Sequence, residues 1–376
     1  MSPGLQQVLA AHLPDYCVTH RLDARQSRVC THILQCRTEA LGGYQLACDR
    51  CDHDQTQYLS CRDRHCPLCQ QRASRQWAEA QQQAVLPVAY HHLVFTLPDT
   101  LNGWVRLRPD ALYRALFAAV WQTLKAFAAD PKRLGGRLGM TAVLHTWGQT
   151  LIQHVHLHCL VPGGVLTEQG SWKAASSRYL FPVRALSRHF RGHLVHRLRQ
   201  LFEAGELSRV TAADVSERLD ALMAKEWVVF SRPCEQATRS VVNYLARYSH
   251  RTAISNQRIL AMDEETVSFR YKDYGDDKKT KVMHLVHEEF IRRFLLHVLP
   301  QGLMKIRHLG YLANCCRKKR LVQIRAAIAQ AETAEAEPEQ AANPVGPELE
   351  GWACPVCQGG RLRIVAELPP RRPGGG

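Results

Sequence analysis

The sequence predicts an α+β protein, and three observations carry that expectation. Strand and helix signals mix along the main body without the regular βαβ rhythm of a doubly wound sheet. Two strand-like runs, Thr141–Trp147 and Gln153–Val161, are separated only by a short loop, as in an antiparallel hairpin. Cysteines and histidines crowd residues 30–76, partly in C-x-x-C units, which marks a small metal-stapled unit ahead of the body.

Taken in order, residues 1–29 read as an amphipathic helix and a short turn. His92–Leu97 reads as a strand stopped by Pro98. Ala111–Ala129 reads as a helix with the apolar stripe Leu112, Leu116, Val120, Leu124 and Phe127. The hairpin follows and is stopped by Pro162-Gly163-Gly164. Arg188–Ala204 and Ala212–Lys225 are amphipathic helices, the second capped by Thr211. Thr266–Tyr271 and Lys281–Leu285 read as a hairpin turning at Tyr274-Gly275-Asp276-Asp277. Glu288–Leu299 reads as a helix burying Phe290, Ile291, Phe294, Leu295 and Val298, ended by Pro300. Residues 330–352 are rich in Ala, Glu and Pro and read as a linker. The expected division is 1–90 for the N-terminal helix and zinc-binding domain, 91–325 for the body, and 326–376 for the acidic linker and a short cysteine-containing tail, largely disordered.

The chain has 376 residues, enough for two or three domains, and 45% are hydrophobic, as in globular proteins. No apolar run approaches the roughly 18 residues of a membrane span. The N-terminus lacks a basic region followed by an apolar core, so the expected location is cytoplasmic, at the nucleoid. The net charge of +15 is spread over the body and points to a polyanion, with nucleic acid the leading partner. No G-x-x-x-x-G-K-[ST] pattern is present, so no nucleotide cofactor is expected.

Fourteen cysteines in short C-x-x-C units argue for zinc rather than disulfides. Cys48-x2-Cys51 and Cys66-x2-Cys69 read as two knuckles that together complete one closed structural site. A second site is open to Cys36, Cys61, His53 and His65, and Cys61 or His65 can equally replace one of the first four. Cys354-x2-Cys357 is half a site, which Cys315 and Cys316, or His308 further off, could complete; it is assigned no metal. Arg50, Arg62, Arg64, Arg72 and Arg75 decorate this module and suit a DNA clamp.

In the second strand of the hairpin, His154, His156 and His158 alternate, so they share a face opposite Val155, Leu157 and Cys159. Same-face neighbours lie about 6.7 Å apart, a span two imidazoles bridge around one ion. The pair is His154 with His156 or, preferred, His156 with His158. The third histidine would then orient the pair or bind phosphate. A further ligand is sought elsewhere, for instance His92.

Ala237–Arg251 reads as a helix with Val241 and Leu245 inward. Tyr244 and Tyr248 border that stripe, with Arg247 and Arg251 on their far side. Phenols held by packing and facing arginines are placed to attack a phosphate. Arg62, Arg64, Arg72, Arg247, Arg251 and Lys272 are the expected DNA contacts.

The segments SCRDRHCPLCQ, HHLVFTLP, HVHLHCLVPGG, YLARYSHR, YKDYGDDKKTKVMHL and EEFIRRFLLHVLPQGLMKIRHLGYLAN, in that order, resemble the rolling-circle insertion-sequence transposases of the HUH type with two tyrosines, the IS91 group, and the resemblance covers roughly residues 5–325. The resemblance implies a HUH-endonuclease-like central antiparallel sheet carrying the histidines, flanked by helices, one of which presents the tyrosines. It implies magnesium or manganese on His156 and His158. It implies that Tyr244 or Tyr248 attacks single-stranded or hairpin DNA at the element ends, forming a 5′-phosphotyrosine link before strand transfer to target DNA. Family members often carry proline where Val155 stands. Rival readings are a replication initiator or relaxase with similar groups, and a zinc-dependent DNA-binding regulator without catalysis.

Overall fold

A five-stranded antiparallel sheet organises the body of the computed structural model, which describes residues 2–82, 84–176, 179–234, 251–332 and 352–371. In chain order the strands are β1 (Gly43–Cys48), β2 (Asp54–Tyr58), β3 (Tyr90–Thr96), β4 (Gly139–Trp147), β5 (Gln153–Pro162), β6 (Gly164–Leu166) and β7 (Trp172–Ala174). They continue with β8 (Val229–Pro233), β9 (Ile259–Met262), β10 (Thr266–Asp273), β11 (Lys279–Val286), β12 (Ile306–Gly310), β13 (Trp352–Ala353) and β14 (Arg361–Leu368). The central sheet has the order β12-β4-β5-β3-β8, and the smaller ones are β11-β10-β9, β6-β7 and β13-β14-β1-β2. The α+β class is therefore observed, with every central pairing antiparallel.

The alternation along β5 sorts its side chains as expected. Val155, Leu157, Cys159 and Val161 are fully buried on one face, beside Leu144 of β4 and Phe95 of β3. Against that face pack the Pro109–Ala129 and Val183–Glu203 helices, through Leu112, Leu116, Val120, Phe190, Leu194 and Leu198. Pro109 opens the first helix, where a missing N–H costs nothing. The Ala212–Ala224 helix begins as expected, with Thr211 Oγ1 accepting from Asp214 N–H. The histidines are left on the other face.

A second core joins the N-terminal region to the rest. Leu5, Val8 and Leu9 of the Leu5–Thr19 helix and Ile33 of the Ala24–Gln35 helix pack with Phe290, Ile291 and Phe294 of the His287–Leu295 helix and Phe269 of β10. Cys36, Cys66 and Cys69 belong to the same core. The cysteine-rich region is thus built into the body on this side. Among the described residues no helix is long and apolar enough to cross a membrane.

The tail departs from expectation. Instead of being largely disordered, residues 352–371 contribute β13 and β14, and β14 pairs with β1 from Gly43↔Leu368 to Cys48↔Leu362. An edge strand offers unpaired N–H and C=O groups, and the β-prone run Arg361–Leu368 satisfies them. The Arg317–Glu332 helix likewise occupies the start of the stretch expected to be linker.

Candidate functional site

The histidine face gathers imidazoles from three strands. Register places His145 of β4 opposite His156 of β5, while β3 runs along the other side of β5 with Val94 opposite His158. Cross-strand partners share a face, so His145, His156 and His158 converge, with one nitrogen from each lying within 4.8 Å of the others. His156 is 9% exposed, and His156 Nε2 lies 3.1 Å from His158 Nε2. His156 Nδ1 donates to the His154 carbonyl at 2.8 Å. A carbonyl only accepts, so the neutral His156 ring must carry its proton on Nδ1 and point the Nε2 lone pair into the cluster. Burial, then the charge of His154, holds His156 down at about 4, so the ring is neutral at pH 7.

These nitrogens fit a divalent ion. Two ligands roughly 2.1 Å from one octahedral centre subtend an edge of about 3 Å. An all-imidazole set suits manganese better than magnesium, which prefers oxygen.

Two sequence expectations change here. His154 is exposed and outside the cluster; it serves His156 through its main-chain carbonyl. His92, expected as a further ligand, stands behind His158, with its Nε2 2.9 Å from His158 Nδ1 and the two rings stacked. A partner on the far nitrogen sets the orientation of a ligating ring. His92→Ala is accordingly expected to weaken manganese binding about 10–100-fold. A manganese titration checks this, and unchanged affinity would remove the positioning role.

The third histidine, His145, was missed. The sequence does carry a signal, because His145 and His156 flank the hairpin loop at nearly equal distances. The irregular register between His145 and Trp147 hides their pairing from a simple count.

The cysteines group differently from the sequence reading. Cys66 and Cys69 do not share a site with Cys48 and Cys51. They lie with Cys36 and Cys61, with Cys69 Sγ 3.6 Å from Cys36 Sγ and 3.5 Å from Cys61 Sγ. Tetrahedral zinc with Zn–S of about 2.3 Å needs sulfur–sulfur edges of roughly 3.8 Å, so this set fits a closed structural zinc site. Cys48 and Cys51 face Cys354 and Cys357 instead. Two C-x-x-C pairs near in sequence can only share an ion if the fold brings their turns together, and β1 carries one pair away from the other.

His65 is not a ligand. Its Nδ1 bonds Asp63 Oδ1 at 2.8 Å, and its Nε2 accepts the Leu299 N–H at 3.1 Å. Burial works against ionised Asp63, but its bonds to His65 and His32 hold the carboxyl well below the usual range. His53 is outside both cysteine sets, with a buried Nε2 that has no hydrogen-bond partner among the described residues.

The arginines also divide. Arg64 was expected on DNA but is spent on structure, donating to the carbonyls of Leu303 at 2.5 Å and Pro300 at 2.7 Å. Arg64 and His65 thereby tie the cysteine-rich region to the chain entering β12. Arg62 and Lys272 are exposed. Arg251 is exposed, and its carbonyl accepts Lys305 Nζ at 2.6 Å. The Arg72 side chain, and Tyr244, Arg247 and Tyr248, lie outside the described residues.

Comparison with known proteins decides what this geometry belongs to. Residues 139–320, which include the whole histidine cluster, match the family model described as "Putative transposase". Residues 8–97 match the model described as "Transposase zinc-binding domain". The chain is 42% identical over 358 residues to "Putative transposase y4qJ" of Sinorhizobium fredii (strain NBRC 101917 / NGR234), covering 92% of this chain and 90% of the relative. It is 32% identical over 304 residues to the "Transposase for insertion sequence element IS801" of Pseudomonas savastanoi pv. phaseolicola, covering 76% of this chain and 69% of the relative.

The chain belongs to the IS91-family transposases. No solved structure matches it. The transposase acts on DNA, which accounts for its charge of +15. Its zinc-binding domain, as matched by the family model, contains all four cysteines of the Cys36 set but only half of the Cys48 set.

Proposed function

We propose that the transposase nicks single-stranded DNA at the element ends through a tyrosine nucleophile, keeps the 5′ end as a phosphotyrosine, and transfers strands by a rolling-circle route. The observation that carries this reading is the convergence of His145, His156 and His158, with the His156 lone pair aimed into the cluster. A manganese or magnesium ion held there supplies Lewis acidity toward a scissile phosphate. His92 and the His154 carbonyl orient two of the rings.

Tyr244 or Tyr248 is the nucleophile. Its phenolic O–H releases its proton as the oxygen bonds to phosphorus, the bond from phosphorus to the 3′ oxygen breaks, and that oxygen takes up a proton and leaves as a hydroxyl. The free 3′ hydroxyl or the second tyrosine then drives transfer. The sequence supports this reading, because both phenols border an apolar stripe with Arg247 and Arg251 on their far side. Arg62, Arg247, Arg251 and Lys272 are the proposed DNA contacts.

Incubation with single-stranded end oligonucleotides and manganese is expected to give a covalent adduct on a denaturing gel. Tyr244→Phe combined with Tyr248→Phe is expected to abolish it. An adduct that survives in the double variant would remove these nucleophiles. Absence of any wild-type adduct would favour a DNA-binding role without catalysis.

A further inference from the structure

The sheet β13-β14-β1-β2 has too small an interior to hold itself together. Its buried residues are Leu46, Cys354 and Leu362, whereas Ile364 and Val365 are 52% and 61% exposed. A sheet of this size, drawn from two distant parts of one chain, needs a staple.

The turn after β1 and the turn after β13 face each other and bring four sulfurs together. Cys48 Sγ lies 3.7 Å from Cys357 Sγ, and Cys51 Sγ lies 3.7 Å from Cys354 Sγ, with all four inside 4.8 Å of one another. A disulfide would bring a pair to about 2.05 Å; the observed spacing instead matches the roughly 3.8 Å edge of a zinc tetrathiolate. Main-chain N–H groups point at two of the sulfurs: Arg50 at Cys48 (3.4 Å) and Gly360 at Cys357 (3.2 Å).

Gly360 provides an independent observation. A Cβ there would lie 2.4 Å from Cys48 Sγ and 3.1 Å from Cys357 Sγ. Only a residue without a side chain lets the second turn close onto the first. The two turns are also joined outside the sulfurs, by Asp49 N–H to the Arg361 carbonyl at 3.0 Å and Arg361 N–H to Asp49 Oδ1 at 2.8 Å.

We propose that Cys48, Cys51, Cys354 and Cys357 bind a second structural zinc ion, which fastens the C-terminal strand to the N-terminal zinc-binding domain. Each thiol gives its proton to solvent as its sulfur lone pair bonds the ion. The resulting cage is doubly negative, and Arg50 and Arg361 stand on the two turns that carry it. The C-terminal tail is then an integral part of the zinc-binding domain, and the transposase carries two zinc ions per chain.

Elemental analysis of the full-length protein tests this. Two zinc ions per chain are expected in the wild type and one in the Cys354→Ser, Cys357→Ser variant, where trypsin gains access to Arg361 and Arg363. Gly360→Val, which keeps every cysteine, is expected to lose the same ion. Cys36→Ser should lose the other one. A wild type with one zinc, iron in place of zinc, or a double variant that keeps two would overturn the proposal. If the double variant precipitates, cobalt exchange into Gly360→Val decides: half the wild-type thiolate-to-cobalt absorbance supports the second site, and full absorbance removes it. The readout is metal content, so a failure to detect nicking leaves the result intact.

Discussion

His156→Ala is expected to lower manganese-dependent adduct formation on the order of 10³-fold, equivalent to about 4 kcal/mol of transition-state stabilisation. His156 contributes the nitrogen whose tautomer is set by the His154 carbonyl, and its Nε2 lies 3.1 Å from His158 Nε2. The substitution leaves the opposite face of β5 untouched, where Val155 and Leu157 hold the core. Its folding cost is limited to one unmet carbonyl and is about 1 kcal/mol. The loss should therefore appear in the adduct assay and in manganese affinity, with a thermal midpoint near that of the metal-free wild type. Adduct formation within tenfold of wild type at saturating manganese would show that His156 does not hold the ion.

Cys69→Ser is expected to cost far more in stability than His156→Ala. Cys69 sits in the Cys36 set, and three of those cysteines are buried in the core shared by the Leu5–Thr19 and His287–Leu295 helices. Structural zinc contributes roughly 10–16 kcal/mol of folding free energy in small zinc units, and serine cannot replace the thiolate. The variant should lose one zinc ion per chain and become sensitive to proteolysis across residues 5–82. Cys159→Ser is the control: Cys159 is a buried thiol on the core face of β5 that belongs to neither cysteine set, and its substitution should leave zinc content unchanged. A Cys69→Ser protein with full zinc content would overturn the assignment.

Much of the fold was legible because it rests on short-range pattern. The alternation of Val155, Leu157 and Cys159 with the histidines gave two faces, and both are seen. The stripe Leu112, Leu116, Val120, Leu124, Phe127 is buried along its length. Thr211 caps its helix, and the hairpin of β10 and β11 turns where Tyr274-Gly275-Asp276-Asp277 stands. The histidine pair His156/His158 was legible for the same reason, since two residues apart on a strand is a local relation.

What escaped the sequence was every choice among distant partners. Arg64 looks like its neighbour Arg62, yet one binds two carbonyls near β12 and the other faces solvent. His92 and His145 are both histidines on strands beside β5. Register sets His145 among the converging nitrogens and leaves His92 behind His158.

The sequence by itself determined the elements, the polar face of β5 and the cysteine-rich knuckles, because residues within a few positions settle φ, ψ and side-chain direction. Only the tertiary structure decided which cysteines meet and which histidine completes the cluster. A C-x-x-C unit presents two sulfurs whatever its partner is. Its complement depends on strand registers, such as Cys48↔Leu362 between β1 and β14, that join residues more than 300 positions apart.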